Sequence, residues 1–283
     1  MGEEPRSTMG RHRSSVTAVL IMMMGAVFAG CLANEEEPLS NPITMDVHYD
    51  ATSGTITKRM QNNAVIAENG VELSFDYARV VSKAGTMKTY SFDPGDDVEG
   101  ANTVTINANE QAEITYTYLT HGLFNAVLTA VDENNNNATL ELVIRIDEEI
   151  DWTQTNTDEP TDMAISTVPD CLCVAPERID FDSTITNRNE IVPGTQVTVT
   201  WHLDNPDGDE KAFHTEQIGD GQEATWEHQQ YQVGKGAWAL RVTIDTGNES
   251  IDLHHIVRIE YEAAESTPNP IDAVETERRS SSV

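Results

Sequence analysis

The stretch Tyr118–Asp132, YLTHGLFNAVLTAVD, limits the fold more than any other. Phe124, Ala126, Leu128 and Ala130 fall on one face of a period-two pattern, and Asp132 closes it. Alternation over this length predicts a half-buried β-strand, because successive side chains of a strand point to opposite faces. Gly122 supplies the bend into the strand. Such a strand belongs at the centre of an all-β sandwich.

The other strand signals agree. Val71, Leu73 and Phe75 alternate after Gly70, and Thr86 to Phe92 runs into the turn Asp93-Pro94-Gly95-Asp96-Asp97. Thr103–Ile106 and Glu113–Tyr118 follow, and Thr139–Ile146 keeps Leu140, Leu142, Ile144 and Ile146 in phase. Ile43–Tyr49 and Gly54–Lys58 read as an extra hairpin or edge. Short strands at regular spacing without a long helical pattern predict a sandwich.

These residues resemble the PKD (polycystic kidney disease) domain family, whose members are immunoglobulin-like β-sandwiches. Tyr90-Ser91-Phe92-Asp93-Pro94-Gly95-Asp96-Asp97 is similar to its Y-x-W-D-F-G-D-G signature, with Phe92, Pro94 and Asp97 as departures. Tyr118, Gly122, Phe124, Ala126, Leu128, Ala130 and Asp132 match the spacing of its Y-x3-G-x-Y-x-V-x-L-x-V-x-D strand. Gly70, Leu73 and Phe75 match an earlier strand. The resemblance covers roughly residues 64–147 and implies a non-catalytic module of a kind that often stands beside catalytic domains.

A second β pattern follows a stretch rich in Thr, Asp, Glu and Pro. Val197, Val199, Trp201 and Leu203 alternate, as do Trp238, Leu240, Val242 and Ile244, and again Ile251 to Tyr261. Gly194-x-x-Val197-x-Val199 parallels Gly70-x-x-Leu73-x-Phe75, and Gly236-x-Trp238-x-Leu240 parallels Gly122-x-Phe124-x-Ala126. The parallels predict a divergent, PKD-like repeat. The expected plan is all-β. A signal peptide spans 1–30 and a tether 31–42. One immunoglobulin-like sandwich spans 43–147 and a second 175–262, joined by a flexible acidic linker at 148–174. A disordered tail occupies 263–283.

The N-terminus carries the localisation signal. Arg6, Arg11 and Arg13 precede the apolar run Val16–Phe28, which is short for a membrane span. Phe28-Ala29-Gly30-Cys31 resembles the lipobox of prokaryotic lipoproteins. It implies cleavage before Cys31 and a lipid anchor on its sulfur, which would hold the protein on the outer face of the cytoplasmic membrane. The alternative is an uncleaved signal anchor. The formal charge of −31, from 17 basic and 48 acidic residues, excludes nucleic acid as a partner, because phosphates are bound by releasing counterions to Lys and Arg.

The candidate sites are few. Cys171-x-Cys173 reads as a disulfide within or between chains, as a metal or redox pair, or as free thiols. Asp93, Asp96 and Asp97 share one turn, and Asp204, Asp207 and Asp209 share another. Both offer oxygen ligands for calcium, the one cofactor considered, without the twelve-residue calcium-loop pattern. Asn137-Ala138-Thr139 and Asn248-Glu249-Ser250 are N-glycosylation sequons. His255 shares the phase of Leu253 and Val257 and reads as a core histidine, while His254 shares a face with Asp252. Trp201 and Trp238 fall in core phase, leaving Trp152 and Trp226 for exposed stacking. No nucleophile elbow, zinc helix or phosphate loop is present, and no catalytic residue is assigned. The expectation is a non-enzymatic, membrane-anchored extracellular module. It would bind proteins or glycans through the loops Asp93–Asp97, Asn134–Asn137, Asp204–Glu210 and Asp245–Asn248. The alternative is an accessory, noncatalytic subunit of a secreted hydrolase or transporter.

Overall fold

Alternating apolar residues put the chain almost wholly into strands. The computed structural model describes residues 41–97, 100–168, 173–188, 195–247 and 249–271. Its first ten strands are β1 (Ile43–Thr44), β2 (Ser53–Gln61), β3 (Ala64–Asn69), β4 (Val71–Asp76), β5 (Val81–Ser82), β6 (Met87–Asp93), β7 (Val104–Asn107), β8 (Glu113–Tyr118), β9 (Gly122–Asp132) and β10 (Asn137–Thr157). Seven more follow: β11 (Met163–Ser166), β12 (Arg178–Asn187), β13 (Val197–Asp204), β14 (Glu210–Ile218), β15 (Glu223–Tyr231), β16 (Ala237–Thr246) and β17 (Ile251–Glu260).

One sheet of nine strands runs β15-β12-β17-β10-β9-β6-β7, with β2 also on β10 and β3 on β2. Two sheets face it from the same side as its buried residues. The pair β4–β8 closes a first core around Phe75, Phe92, Tyr118, Phe124 and Leu128, all fully buried. The sheet β11-β16-β13-β14 closes a second around Trp152, Ile165, Trp201, Val199 and Ile259. Phe124, Ala126, Leu128 and Ala130 do face the core, on the inward side of β9.

The first half has the strand neighbours of an immunoglobulin sandwich. β10-β9-β6-β7 stand as G-F-C-C′ opposite β4–β8 as B–E. Tyr118 at the foot of β8 donates its hydroxyl to Pro94 O at 3.0 Å. At the other end, Asp132 accepts from Ser82 Oγ, Asn134 N, Asn136 N and Asn136 Nδ2 at 2.7–3.0 Å. The bond from the Asn136 amide, ahead of the others, holds its carboxyl below the usual range.

The second half departs from the repeat that the sequence suggests. β16 pairs with β13 and stands where β9 stands in the first half. β13, however, takes the place of β6 rather than that of β4. It lies between β16 and β14 in the four-stranded sheet, whereas among the described residues β4 pairs only with β8. The strand in the place of β4 is β12, paired with β15. The first strand of this half, β11, lies beside β16, where a sandwich normally has its last strand. The last strand, β17, lies beside β12, where the first is usual.

The linker expected from 148 onward is instead the second half of β10. Glu148 to Gln154 pair in register with β17, while Arg145 to Thr153 pair in parallel with β2 on the opposite edge. The inward face of this one strand gives Leu142, Ile144 and Ile146 to the first core and Ile150 and Trp152 to the second. Met163–Ser166 is a strand as well. Residues 169–172 lie outside the described set. The expected tail also begins as structure. Ser266 Oγ accepts from Val143 N at 2.9 Å, and Asn269 pairs with Tyr49. These bonds return the chain to the first half.

Glu148 marks the point where the cores meet. It is 4% exposed and accepts from Lys58 Nζ at 2.6 Å. His121, from the turn before β9, lies 3.7 Å from it. His121 Nε2 donates to Ser166 O at 3.1 Å, and Nδ1 accepts from Tyr261 Oη at 2.8 Å. Burial raises the Asp147 carboxyl, which accepts from Tyr261 N at 2.9 Å. Lys58 and His121 of the first half thus satisfy a buried carboxylate that would be costly alone, and Ser166 and Tyr261 of the second half hold His121 in turn. The hairpin β2–β3 adds a clasp. It turns at Asn62 and Asn63, both at positive φ, and Asn63 Oδ1 accepts the Trp152 indole N–H at 2.8 Å.

Candidate functional site

The candidate site lies on the outward face and rim of the second half, around Tyr231. Ile179, Phe181, Ser183 and Ile185 of β12 point into the core, so Arg178, Asp180 and Asp182 point out. Register places Tyr231 opposite Arg178, Gln229 opposite Asp180 and Glu227 opposite Asp182. On the other side of β12, Arg258 stands opposite Asp180. β15 is the end strand of the sheet, so this face runs to an open edge.

Two clefts meet at Tyr231. The first, about 630 Å³, is lined by Asp180, Asp182, Glu227, His228, Gln229 and Arg258 together with Tyr231. The second, about 370 Å³, is lined by Asn205, Asp207, Lys211, Gln230, Gln232, Lys235 and Trp238, again with Tyr231. Tyr231 is 49% exposed, and its hydroxyl donates to Gln229 Oε1 at 3.2 Å. The floor of the second cleft is set by backbone geometry. Asn205 Oδ1 accepts from Asp207 N and Asp209 N at 3.1 and 2.8 Å, closing the β13–β14 turn. Pro206 of that turn packs on Gly236, where a Cβ would sit 2.4 Å from the Pro206 side chain.

Charges in the first cleft are only partly matched. Asp180 accepts from Arg178 Nε at 3.1 Å, and Arg258 donates to Glu149 at 2.8 Å. Asp180 Oδ1 and His228 Nε2 are buried without a hydrogen-bond partner among the described residues. Asp182 and Glu227 face each other across the ladder, a like-charge pairing that opposes sheet stability. Among the described residues neither has a cation within 4 Å. The arrangement offers a flat apolar ring flanked by amides, carboxylates and amines. It suits a ligand with an apolar face and hydrogen-bonding edges.

The turns singled out in the sequence behave differently from one another. Asp93 Oδ1 accepts from Gly95 N at 3.0 Å, Asp96 accepts from Tyr116 Oη at 2.5 Å and Asn102 Nδ2 at 2.9 Å, and Asp97 accepts from Gly100 N and Asn102 N. These carboxylates tie their own loop together. Asp204 is held by Arg241 at 3.2 Å and Asp209 by Lys211 at 3.3 Å, while Asp207 lines the second cleft. Among the described residues, no three His, Cys, Asp or Glu are grouped to hold a metal ion. Cys173 is disulfide-bonded, and Cys171 lies outside the described residues, as do Cys31 and Asn248. Asn137 is exposed at the start of β10.

Trp152 and Trp226 are not exposed platforms. They are 0% and 8% accessible, because the strands carrying them turn those phases inward. His255 is buried and stacks on Trp152 at 4.9 Å. Its Nδ1 accepts from Ser183 Oγ at 2.7 Å. His254 pairs with Asp151 at 3.0 Å rather than with Asp252. The sequence reading does not single out Tyr231 as a ligand platform. The alternation Glu227, Gln229, Tyr231 opposite Trp226 and His228 carries the signal that it points outward.

The chain matches no protein-family model and no curated protein. Its likeness to solved structures is one of fold. One is described by the promiscuous specificity of carbohydrate-binding modules from the β-sandwich superfamily, with 13% identity, 80% of this chain and 95% of the other covered, and a TM-score of 0.29. A structure of the disulfide-linked pili of Bacillus endospore appendages shares 11% identity over 41% of this chain and 88% of its own, with a TM-score of 0.25. A Bacteroides ovatus protein of a mixed-linkage glucan utilization locus, in complex with a heptasaccharide, shares 10% over 73% and 52%, with a TM-score of 0.20.

Proposed function

We propose that this protein is a non-enzymatic binding module that holds glycan chains at the two clefts around Tyr231. The observation that carries the reading is the half-exposed Tyr231 standing between clefts edged by Asn, Gln, Asp and Lys side chains. A pyranose ring has an apolar C–H face and a polar hydroxyl rim. An aromatic face supplies contact area at low entropic cost, and the planar amides and carboxylates take the hydroxyls. The PKD resemblance of residues 64–147 and lipid anchoring at Cys31 complete the proposal. The body then stands outside the cell on the membrane and presents the clefts. The strand neighbours of the first half support the former, and the order of basic, apolar and Phe-Ala-Gly-Cys residues supports the latter.

The test is affinity electrophoresis of the unit from Asn41 onward, a compact unit of its own, against neutral plant, fungal and bacterial polysaccharides. Retardation by at least one polymer is expected. Tyr231→Ala should weaken it by about tenfold or more, as truncating a central aromatic contact does. No retardation by any polymer, retention unaltered in Tyr231→Ala, or release of reducing ends from a bound polymer would each overturn the proposal.

A further inference from the structure

We propose that the free edge of β3 is a self-association site through which two copies of this chain pair. Among the described residues β3 pairs with β2 alone, which leaves its outer row of N–H and C=O groups without a strand partner there. All six of its residues are exposed, and four in a row, Ala64-Val65-Ile66-Ala67, are apolar. Val65 and Ile66 are 52% and 55% accessible. A strand end of a sheet is a template for another strand, and soluble proteins blunt such edges with charge, proline or brevity. Other free edges here carry charge or are short: β4 has Glu72 and Asp76, β8 has Glu113, and β1 and β5 have two residues each. β14 carries Glu210, Lys211 and Glu216, β15 carries Glu223 and Glu227, and β7 and β11 have only four residues each. β3 has one charge, Glu68, near its end, and that is held by Lys58 at 3.3 Å.

The self-complementary run Ala64–Ala67 points to a second copy as the occupant, and the local charge permits its approach. A chain of formal charge −31 repels its own copies over most of its surface. The hairpin Ser53–Asn69 is an exception, with Lys58 and Arg59 against Glu68 alone. Copies can therefore approach at the hairpin with the least repulsion. An antiparallel two-fold pairing about Ile66 is self-complementary, sets Val65 against Ala67, and sets each Glu68 against Ala64 rather than against the other Glu68. Ile66 is the unmatched residue of a bulge in the β2–β3 ladder, since Arg59 faces Ala67 and Met60 faces Val65. The added twist keeps the paired run short, so the association is weak.

Sedimentation equilibrium of the unit from Asn41 onward, from about 1 to about 300 μM, tests this. A monomer–dimer equilibrium in the range of about 10–100 μM is expected. It should tighten as salt rises from about 0.05 to about 0.5 M, because salt screens the repulsion between the acidic bodies. Ile66→Lys and, separately, Val65→Glu should weaken the dimer by about tenfold or more while leaving the thermal midpoint unchanged, since both side chains are exposed. A monomer at every concentration and salt, or a dimer that both variants leave intact, would overturn the proposal.

Discussion

Trp152→Ala is expected to cost about 3–5 kcal/mol of folding stability, the range for emptying a buried tryptophan site. The residue is fully buried, stacks on His255 and gives its indole N–H to Asn63. Its place in the chain makes the test sharp. In a stretch so acidic and poor in aliphatic residues, a tryptophan of a flexible linker could be removed at almost no cost. Here it fills the second core from β10 and holds the tip of a hairpin that begins beside the first. Equilibrium denaturation in urea measures the loss. A change under about 1 kcal/mol, the scale of surface substitutions, would return Trp152 to a linker.

The reason the linker was misread is physical. From Glu148 to Thr155 the outward positions are Glu149, Asp151, Thr153 and Thr155, and the inward ones are Glu148, Ile150, Trp152 and Gln154. Averaged over the stretch, this is an acidic, aliphatic-poor composition. Read with period two, it is a strand with two apolar anchors flanked by inward polar residues. Those polar residues become legible only once their partners are known: Lys58 and His121 for Glu148, Thr161 for Gln154. None of these is adjacent in sequence. β9 was legible because four inward positions in succession are apolar and one sheet neighbour follows at once across a short turn. The equation of Gly194–Val199 with Gly70–Phe75 failed for a related reason. Alternation shows that a stretch is a strand, but not which neighbours it takes. The Asp204–Glu210 turn was singled out for its polarity and does border a cleft, through Asn205, Pro206 and Asp207. The alternation of β15 shows that Tyr231 points outward, but not that two clefts border it, because their other walls come from β12, β17 and the β13–β14 turn.

Acid is expected to destabilise the fold through His255, by about 1.4 kcal/mol for each pH unit across the window in which it stays neutral only when folded. Burial, ahead of the neighbouring His254, pushes its pKa from 6.5 down to about 3. The unfolded chain therefore binds a proton between these values and the folded chain does not. The stability linked to this group is fully present above pH 6.5 and is lost as pH falls toward 3. Between pH 7 and pH 4.5 the loss from this residue alone is roughly 2–3 kcal/mol. Carboxylates contribute their own dependence, so the variant isolates the effect. His255→Gln cannot titrate, and its stability should fall less steeply over the same range than that of the parent. Parallel pH profiles for the two proteins would mean that His255 charges in the folded state or is not buried.

Hydrogen exchange at the backbone amides of Glu148 to Gln154 tests the continuity of the body most directly. These amides lie where β10 is flanked by β17 on one edge and by β2 on the other, over the boundary between the cores. Residues in the centre of a sheet open only with the global transition, whereas linkers open freely. Protection close to that of Phe124 to Leu128 in β9, lost together with it in denaturant, is the predicted result. Exchange at the rate of an unstructured chain through Glu148–Gln154, with β9 still protected, would contradict a single strand joining the two cores.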